Sequence, residues 1–587
     1  IERRFQNRKF RRFVNATQLM VFSNNMEYDD GSPEPLEGAF YATPSYDSPI
    51  FHYFREEEIL SLDEILLPED PATENFVLAD NNLVHIRDSP EFATNKSPHS
   101  PTNRLSTSLF SPDRLAFLLR YGIAYVRTET SYEKHVMRYP QVFATKAIEA
   151  KIDDGTRKGI IWHTQGSGKT ALAFYNVSYL TDYFRNKGVI PKFYFIVDRI
   201  DLLNQASEEF RSRGLHVHIV DSREEFAAQI KSTVAIHNDS GTPEITVVNI
   251  QRFENDPDVI RSSDYAVGLQ RIYFLDEVHR SYNPEGSFLA NLVQSDPEAI
   301  RIGLTGTPLL NGTIRRALPD GENDETGTGR EIRFSSRTLF GDYIHKYYYN
   351  RSIADGYTLR LIREKIETQY LIRLKEALDA IQIEKETKNR ELLYSHEKFV
   401  APMLDYIVED FERARIIRGD SSIGAMVICD SAAQAREMAR IFKEKYAASP
   451  AVTTAPVYEA LRAAETPALS VVTSRTVTTH ALILHDEGTK SERKERVDAF
   501  KEGKIDVLFV YNMLLTGFDA ARLKKLYLGR VIKAHNLLQA LTRVNRPYRS
   551  HRYGYVVDFV DIEKEFEKTN KNYFEELQSE LGDEFGN

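Results

Sequence analysis

Short apolar runs recur along this chain, separated by longer stretches with helical spacing of apolar positions. The first series is Gly159-Ile160-Ile161-Trp162, Phe193-Tyr194-Phe195-Ile196-Val197, His216-Val217-His218-Ile219-Val220, Ile245-Thr246-Val247-Val248, Ile272-Tyr273-Phe274-Leu275 and Ile302-Gly303-Leu304. Runs that are apolar rather than alternating predict strands buried on both faces of a sheet. The amphipathic stretches between them predict covering helices, so the sheet is expected to be parallel. A second series follows: Ala425-Met426-Val427-Ile428-Cys429, Ala481-Leu482-Ile483-Leu484, Val507-Leu508-Phe509-Val510, Lys525-Leu526-Tyr527-Leu528 and Tyr555-Val556-Val557.

The expected fold class is therefore α/β, with two tandem parallel-sheet domains at residues 131–370 and 396–561. A Lys- and Glu-rich stretch of helical spacing, 371–395, would connect them. Residues 1–130 show few clear βα units and read as a linker region. Within them, 88–113 is rich in Ser, Pro, Asn and Thr, which predicts loop. The Gly- and Asp-rich stretch 310–330 also predicts a loop, and the acidic tail 562–587 predicts the start of a further helical region.

Composition narrows the classes. With 587 residues, 42% hydrophobic and 28% charged, the chain has material for several ordinary cores. Its one cysteine, Cys429, excludes internal disulfides and cysteine-rich zinc sites, sits in an apolar run as a small core residue, and fits a cytoplasmic protein. No stretch approaches the ~18 consecutive apolar residues of a membrane span. An Ile1 start without a signal sequence is expected of a piece cut from a longer polypeptide. The net charge of −10 argues against a generally basic surface, so nucleic acid would need a local channel. The basic run Arg3 to Arg12 reads as a solvated helix face.

Two stretches carry candidate chemistry. His163-Thr164-Gln165-Gly166-Ser167-Gly168-Lys169-Thr170 follows one apolar run and reads as a phosphate loop. Gly166, Ser167 and Gly168 would bare backbone N–H groups to phosphate, Lys169 would reach the outer phosphates, and Thr170 would hold Mg2+. Asp276-Glu277-Val278-His279 follows another run. Asp276 would hold Mg2+, Glu277 would orient and deprotonate water, and His279 reads as either a coupling residue or a satisfied hydrogen-bonding one. Thr305-Gly306-Thr307-Pro308 follows a further strand, with both hydroxyls expected in the same cleft. Among the second series, Thr516-Gly517-Phe518-Asp519 is followed by Gln539, Arg543 and Arg546 at i, i+4 and i+7 of a predicted helix. Alone these would be a solvated face; after the other motifs they read as an arginine-finger element. With a single phosphate loop for two domains, one nucleotide is expected between them.

This ordered set resembles superfamily-two helicases and translocases built of two RecA-like, P-loop NTPase domains. The resemblance extends to Arg138-Tyr139-Pro140-Gln141, with Gln141 implied as adenine reader, and to Val197-Asp198-Arg199-Ile200-Asp201-Leu202-Leu203-Asn204-Gln205, implied near a nucleic-acid backbone. Ile161 to Thr170, Asp276 to Ser281, Leu304 to Pro308, Phe340-Gly341-Asp342-Tyr343-Ile344, Ala354-Asp355-Gly356 and Gln539 to Pro547 narrow it further. They resemble the R (motor) subunit of type I restriction-modification enzymes. His163 stands where the general loop pattern has glycine, and Thr542 where the superfamily's last motif has glycine. The family's nuclease residues find no match here and would precede Ile1.

The resemblance implies an ATP- and Mg2+-dependent motor that pulls duplex DNA before remote cleavage. Implied partners are double-stranded DNA and the specificity and methyltransferase subunits. Gly517 and Asp519 would join the nucleotide site; Thr305, Thr307, His279 and Gln539 would couple it to movement. Two other readings stay open: a strand-separating helicase of DNA repair or RNA metabolism, and a nucleotide-gated assembly module without turnover.

Overall fold

A computed structural model describes residues 9, 11–23, 39–44, 51–58, 68–98, 100–128, 131–198, 200–220, 222, 225–226, 243–249, 269–278, 296–306, 308, 312–316, 330–334, 336–366, 368–385, 389–447, 476–514, 518–532, 537 and 540–559. The chain divides into two compact units, Ile1–Gly356 and Tyr357–Asn587.

Among the described residues of the first unit, seven strands form one parallel sheet. They are β1 (Lys158–His163), β2 (Ile190–Val197), β3 (His216–Val220), β4 (Glu244–Asn249), β5 (Leu269–Asp276), β6 (Ile300–Thr305) and β7 (Tyr343–Tyr347), in the order β7-β1-β6-β5-β2-β4-β3. The apolar runs form its middle: Ile160, Ile161, Trp162, Tyr194, Ile196, Tyr273, Phe274 and Leu275 are all fully buried. Helices α1 (Tyr139–Asp153) and α2 (Lys169–Asn186) pack on β7 and β2, and α3 (Ile200–Ser212) on β3 and β4.

Register decides where a site can form. Leu304 of β6 stands opposite Ile161 of β1 and opposite Asp276 of β5, while Thr305 stands opposite Trp162. The carboxyl ends of these three neighbouring strands are therefore level, at the edge where ligands bind in open α/β sheets. Trp162, the chain's single tryptophan, closes this edge by donating Nε1–H to the Gly306 carbonyl at 3.3 Å.

The region before α1 packs onto this unit. Met20–Ser23, Ala39–Ala42 and His52–Tyr53 make a three-stranded antiparallel sheet. Buried Tyr41 donates its hydroxyl to the Met137 carbonyl at 2.6 Å, and Phe54 packs on Phe143. The expected loop at 88–113 is corrected, since helices run Pro90–Lys96 and Pro101–Ser108, with Pro112–Tyr121 next. Proline at a helix start costs no hydrogen bond and presets φ. The Asp70-Pro71, Ser89-Pro90 and Ser100-Pro101 pairs then act as caps: Asp70 accepts from Ala72 N–H, Ser89 from Phe92 N–H and Ser100 from Asn103 N–H. What composition marks as punctuation is here a series of helix starts. At 310–330, strands Gly312–Arg316 and Arg330–Phe334 pair antiparallel, so the stretch expected as loop carries the greater part of a hairpin ladder.

In the second unit the parallel sheet runs β8-β13-β12-β9-β11-β10, from β8 (Arg360–Lys365), β9 (Gly424–Ile428), β10 (His480–Ile483), β11 (Val507–Val510), β12 (Leu523–Leu528) and β13 (Tyr553–Asp558). Both faces are covered. Ala425, Val427 and Cys429 pack with Met438 and Phe442, while Met426 and Ile428 pack on the opposite cluster with Leu526 and Leu541. Strand β8 pairs with β13, so the unit begins ahead of the boundary expected at 370. The Lys- and Glu-rich stretch contains helices Thr368–Lys385 and Arg390–Tyr394, both within this unit. The tail 562–587 lies outside the described residues, as does most of the basic run Arg3 to Arg12.

Gly554 of β13 tests this packing. A Cβ there would lie 2.2 Å from the Val544 carbonyl oxygen, a backbone atom that cannot swing aside. Gly554→Ala is expected to destabilise the unit by roughly 1–3 kcal/mol. An unchanged urea midpoint, followed by circular dichroism, would refute this.

Candidate nucleotide site

The loop after β1 is held in a shape that only glycine tolerates at two places. Gly166 and Gly168 have φ of 85° and 84°, in the left-handed region. Thr164 N–H donates to the Tyr347 carbonyl at 2.9 Å and Ser167 N–H to the Thr164 carbonyl at 3.2 Å, closing the turn. Gly168 caps α2, whose 18 residues direct a positive helix end at the loop.

Helix α1 braces this loop from outside. The Gln141 amide accepts from Arg138 N–H at 2.9 Å and donates to the Gly168 carbonyl at 2.9 Å and the Ser167 carbonyl at 3.4 Å. The Arg138 guanidinium donates to the Gly166 carbonyl at 3.0 Å. A Cβ on Gly168 would lie 2.6 Å from Gln141 Nε2, so the glycine serves both the loop's backbone and its brace. Lys169 Nζ donates to the His163 carbonyl at 3.4 Å, and a Cβ on Gly306 would lie 3.4 Å from that ammonium.

The acidic pair ends the neighbouring edge. Asp276 is the last residue of β5, and Glu277 turns the chain with φ of 50°. Removal of its carboxyl from water holds Asp276 well above the ordinary carboxylate range; the charge of Glu277 adds to this, Lys169 opposes it, and Asp198 adds a smaller push. The groups that act on Asp276 identify the cluster: Lys169, Asp198, Asp276 and Glu277 share one electrostatic neighbourhood. Thr305 is fully buried, level with Trp162. Thr307 and His279 lie outside the described residues.

In the second unit, Gly517 and Gln539 also lie outside the described residues. Arg543 is buried and donates to the Phe518 carbonyl. Arg546 lies 3.4 Å from Asp519 and is more exposed than Arg543. Lys524 donates to the Arg546 carbonyl, and burial, aided by the Arg546 charge, pushes its ammonium down to about 7.

Sequence reasoning gave Gln141 a role at the nucleotide, but named Arg138 only as part of the same stretch and placed Asp198 in a stretch implied near a nucleic-acid backbone, not beside Asp276. Both lie inside recognisable motifs, so position was their available signal. Asp355, quoted only for its resemblance, gathers a cluster: Tyr139 and Tyr347 donate their hydroxyls to it at 2.5 and 2.6 Å, and Arg55 lies 3.4 Å away.

Residues 140–392 match the SWI2/SNF2 ATPase family, and residues 474–561 match type I restriction enzyme subunit R domain 3. The chain is thus similar to SWI2/SNF2 ATPases in one stretch and to type I restriction enzyme R subunits in another. Its residues are 26% identical, over 79% of this chain and 48% of the relative, to the type I restriction enzyme SauMRSORF196P endonuclease subunit of Staphylococcus aureus. They are 24% identical, over 80% of this chain and 44% of the relative, to the HindI endonuclease subunit of Haemophilus influenzae. The chain spans about half the length of the curated relatives it matches. Among solved structures, the type ISP restriction-modification enzyme LlaBIII bound to DNA is similar, with a TM-score of 0.46, 13% identity, and coverage of 72% of this chain and 28% of that one. Among the described residues no helix is long and apolar enough to cross a membrane.

Proposed function

We propose that these domains form an ATP-driven motor that moves along duplex DNA. One observation carries the reading: the phosphate loop that leads to Lys169 and the Asp276–Glu277 pair leave neighbouring strands at level ends, with the Lys169 charge acting on Asp276. The match to type I restriction enzyme subunit R domain 3 and the similarity to type I restriction endonuclease subunits support the restriction context. In that context specificity and methyltransferase subunits would be partners, and cleavage would follow pulling.

The donor set fits Mg2+. That ion takes one or two protein oxygens together with phosphates and water, and Thr170 and Asp276 offer a hydroxyl and a carboxylate. When bound, Mg2+ would supply charge neutralisation at the phosphates, held by these two residues. The bare amides of Gly166, Ser167 and Gly168 would cradle the phosphate chain. Lys169 would exchange the His163 carbonyl for the outer phosphates. Glu277 would orient the attacking water and take its proton. Gln141 would read adenine, using the second lone pair of its Oε1. Arg543 and Arg546 would offset charge that develops in the transition state, with Gly517 and Asp519 joining the nucleotide site. Thr305, Thr307, His279 and Gln539 would couple hydrolysis to movement.

Phosphate release measured with and without duplex DNA, and triplex displacement by the reassembled complex, test the proposal. Loss of the third strand without release of single strands is the expected result. Release of single strands with the triplex left in place would assign a strand-separating helicase instead.

Two further outcomes follow. Asp276 must be ionised to hold Mg2+, yet its site favours the protonated form, so binding of Mg2+ and nucleotide should release protons and tighten as pH rises above the ordinary carboxylate range. Calorimetry in two buffers of different ionisation enthalpy measures this; identical apparent enthalpies would contradict it. Arg546→Ala should leave nucleotide affinity nearly intact and lower turnover by about tenfold or more, because its contact strengthens as phosphoryl charge develops. An equal loss of affinity and turnover would make Arg546 a ground-state contact.

A further inference from the structure

Behind the phosphate loop stands a line of three side chains that the proposed hydrolysis does not use. Glu57 Oε2 lies 2.6 Å from His345 Nε2, and His345 Nδ1 lies 2.7 Å from His163 Nε2. Arg351 stands 3.5 Å from the other Glu57 oxygen. Glu57 comes from segment 51–58, His345 from β7, and His163 is the last residue of β1. The line is enclosed: the His345 and Glu57 side chains are 9% and 16% exposed, and His163 is fully buried.

Chemistry constrains the line. A carboxylate only accepts, so His345 Nε2 carries the hydrogen between it and Glu57. Burial first, then the charges of His345 and Lys169, hold His163 well below the ordinary imidazole range, so His163 is neutral. A neutral ring donates or accepts at Nε2 according to the proton count of His345, and in both cases it is pinned there. The carbonyl of the same residue is where Lys169 rests, and the next residue, Thr164, begins the loop. A second line leaves the same segment: Arg55 pairs with Asp355, which accepts from Tyr139, the first residue of α1. Arg138, just before α1, and Gln141 within it hold Gly166 and Gly168. Segment 51–58 therefore reaches both sides of the loop.

We propose that Glu57, His345 and His163 are positioning residues for the nucleotide, through which segment 51–58 sets the loop backbone that receives the phosphates. This rests on the nucleotide reading above. The loop backbone would hold substrate and transition state alike, so the line should act on affinity rather than on turnover at saturation. At metal sites, loss of an outer partner that orients a ligand weakens binding by about tenfold or more, and a similar size is expected here.

The test is titration of the whole chain with a fluorescent ATP analogue and Mg2+, beside steady-state phosphate release. Glu57→Ala and His345→Leu are each expected to raise Kd and KM about tenfold with kcat within about twofold of wild type. The double variant should be no worse than the worse single one, because either break severs the same line. His163→Gln keeps a donor near the Nε2 position and should bind within about twofold of wild type, whereas His163→Leu should not. Melting curves without nucleotide confirm folding, and Glu57→Ala, farthest from the loop, serves if the histidine variants fail to fold. Wild-type affinity in Glu57→Ala and His345→Leu, or full additivity in the double variant, would overturn the proposal alone. No binding of the analogue by wild type would remove the nucleotide reading, and the proposal with it.

Discussion

Lys169→Ala is expected to lower DNA-stimulated phosphate release by ~10²-fold or more. Two losses combine. The ammonium that would meet the outer phosphates disappears, and so does the positive charge that partly offsets the proton affinity of Asp276. Asp276 should then bind its proton more tightly and Mg2+ more weakly. Lys169→Arg should not restore activity, because a planar, forked guanidinium does not replace the compact point charge of an ammonium at the phosphates. Phosphate release at saturating ATP and duplex DNA measures the effect. Unchanged release in Lys169→Ala would sink the ATPase assignment.

Glu277→Gln separates binding from chemistry. The amide keeps the shape and cannot take a proton, so turnover should fall ~10²–10⁴-fold. The substitution also removes the charge that, after desolvation, does most to hold Asp276 above its ordinary range. Asp276 should then ionise more readily, so nucleotide affinity with Mg2+ should be kept or improved, and fewer protons should be released on binding. A single titration series with calorimetry and phosphate release reads all three. If affinity and turnover fell together, Glu277 would be a structural residue and the base would lie elsewhere.

Much of the architecture was legible because buried parallel strands leave an unbroken apolar run. Ile160–Trp162, Tyr273–Leu275 and Ala425–Ile428 need no alternation, since helices cover both faces. Two edge strands were not legible, although β3 and β10, at the opposite edges of the two sheets, were. Tyr343-Ile344-His345-Lys346-Tyr347 and Arg360-Leu361-Ile362-Arg363-Glu364-Lys365 each pair on one side and carry charged residues that resemble loop or helix surface. The Ser-Pro segments misled for a different reason: proline breaks a helix in its interior but opens one at its first position. The loop and the acidic pair were visible as local strings. The line from Glu57 through His345 to His163 was not, because its hydrogen bonds join residues 288 and 182 positions apart. Only the folded sheet, which sets β7 beside β1, brings them together.

The backbone at Glu277 has a consequence for engineering. A non-glycine residue at φ of 50° carries a strain of about 1 kcal/mol or more, which asparagine bears more easily than glutamate. Selection of variants for heat tolerance alone would reward Glu277→Asn, which relieves the bond and discards the proposed base. Survivors of such a screen would be sturdier proteins without the proposed base, so any thermal selection on this chain needs a simultaneous demand for turnover.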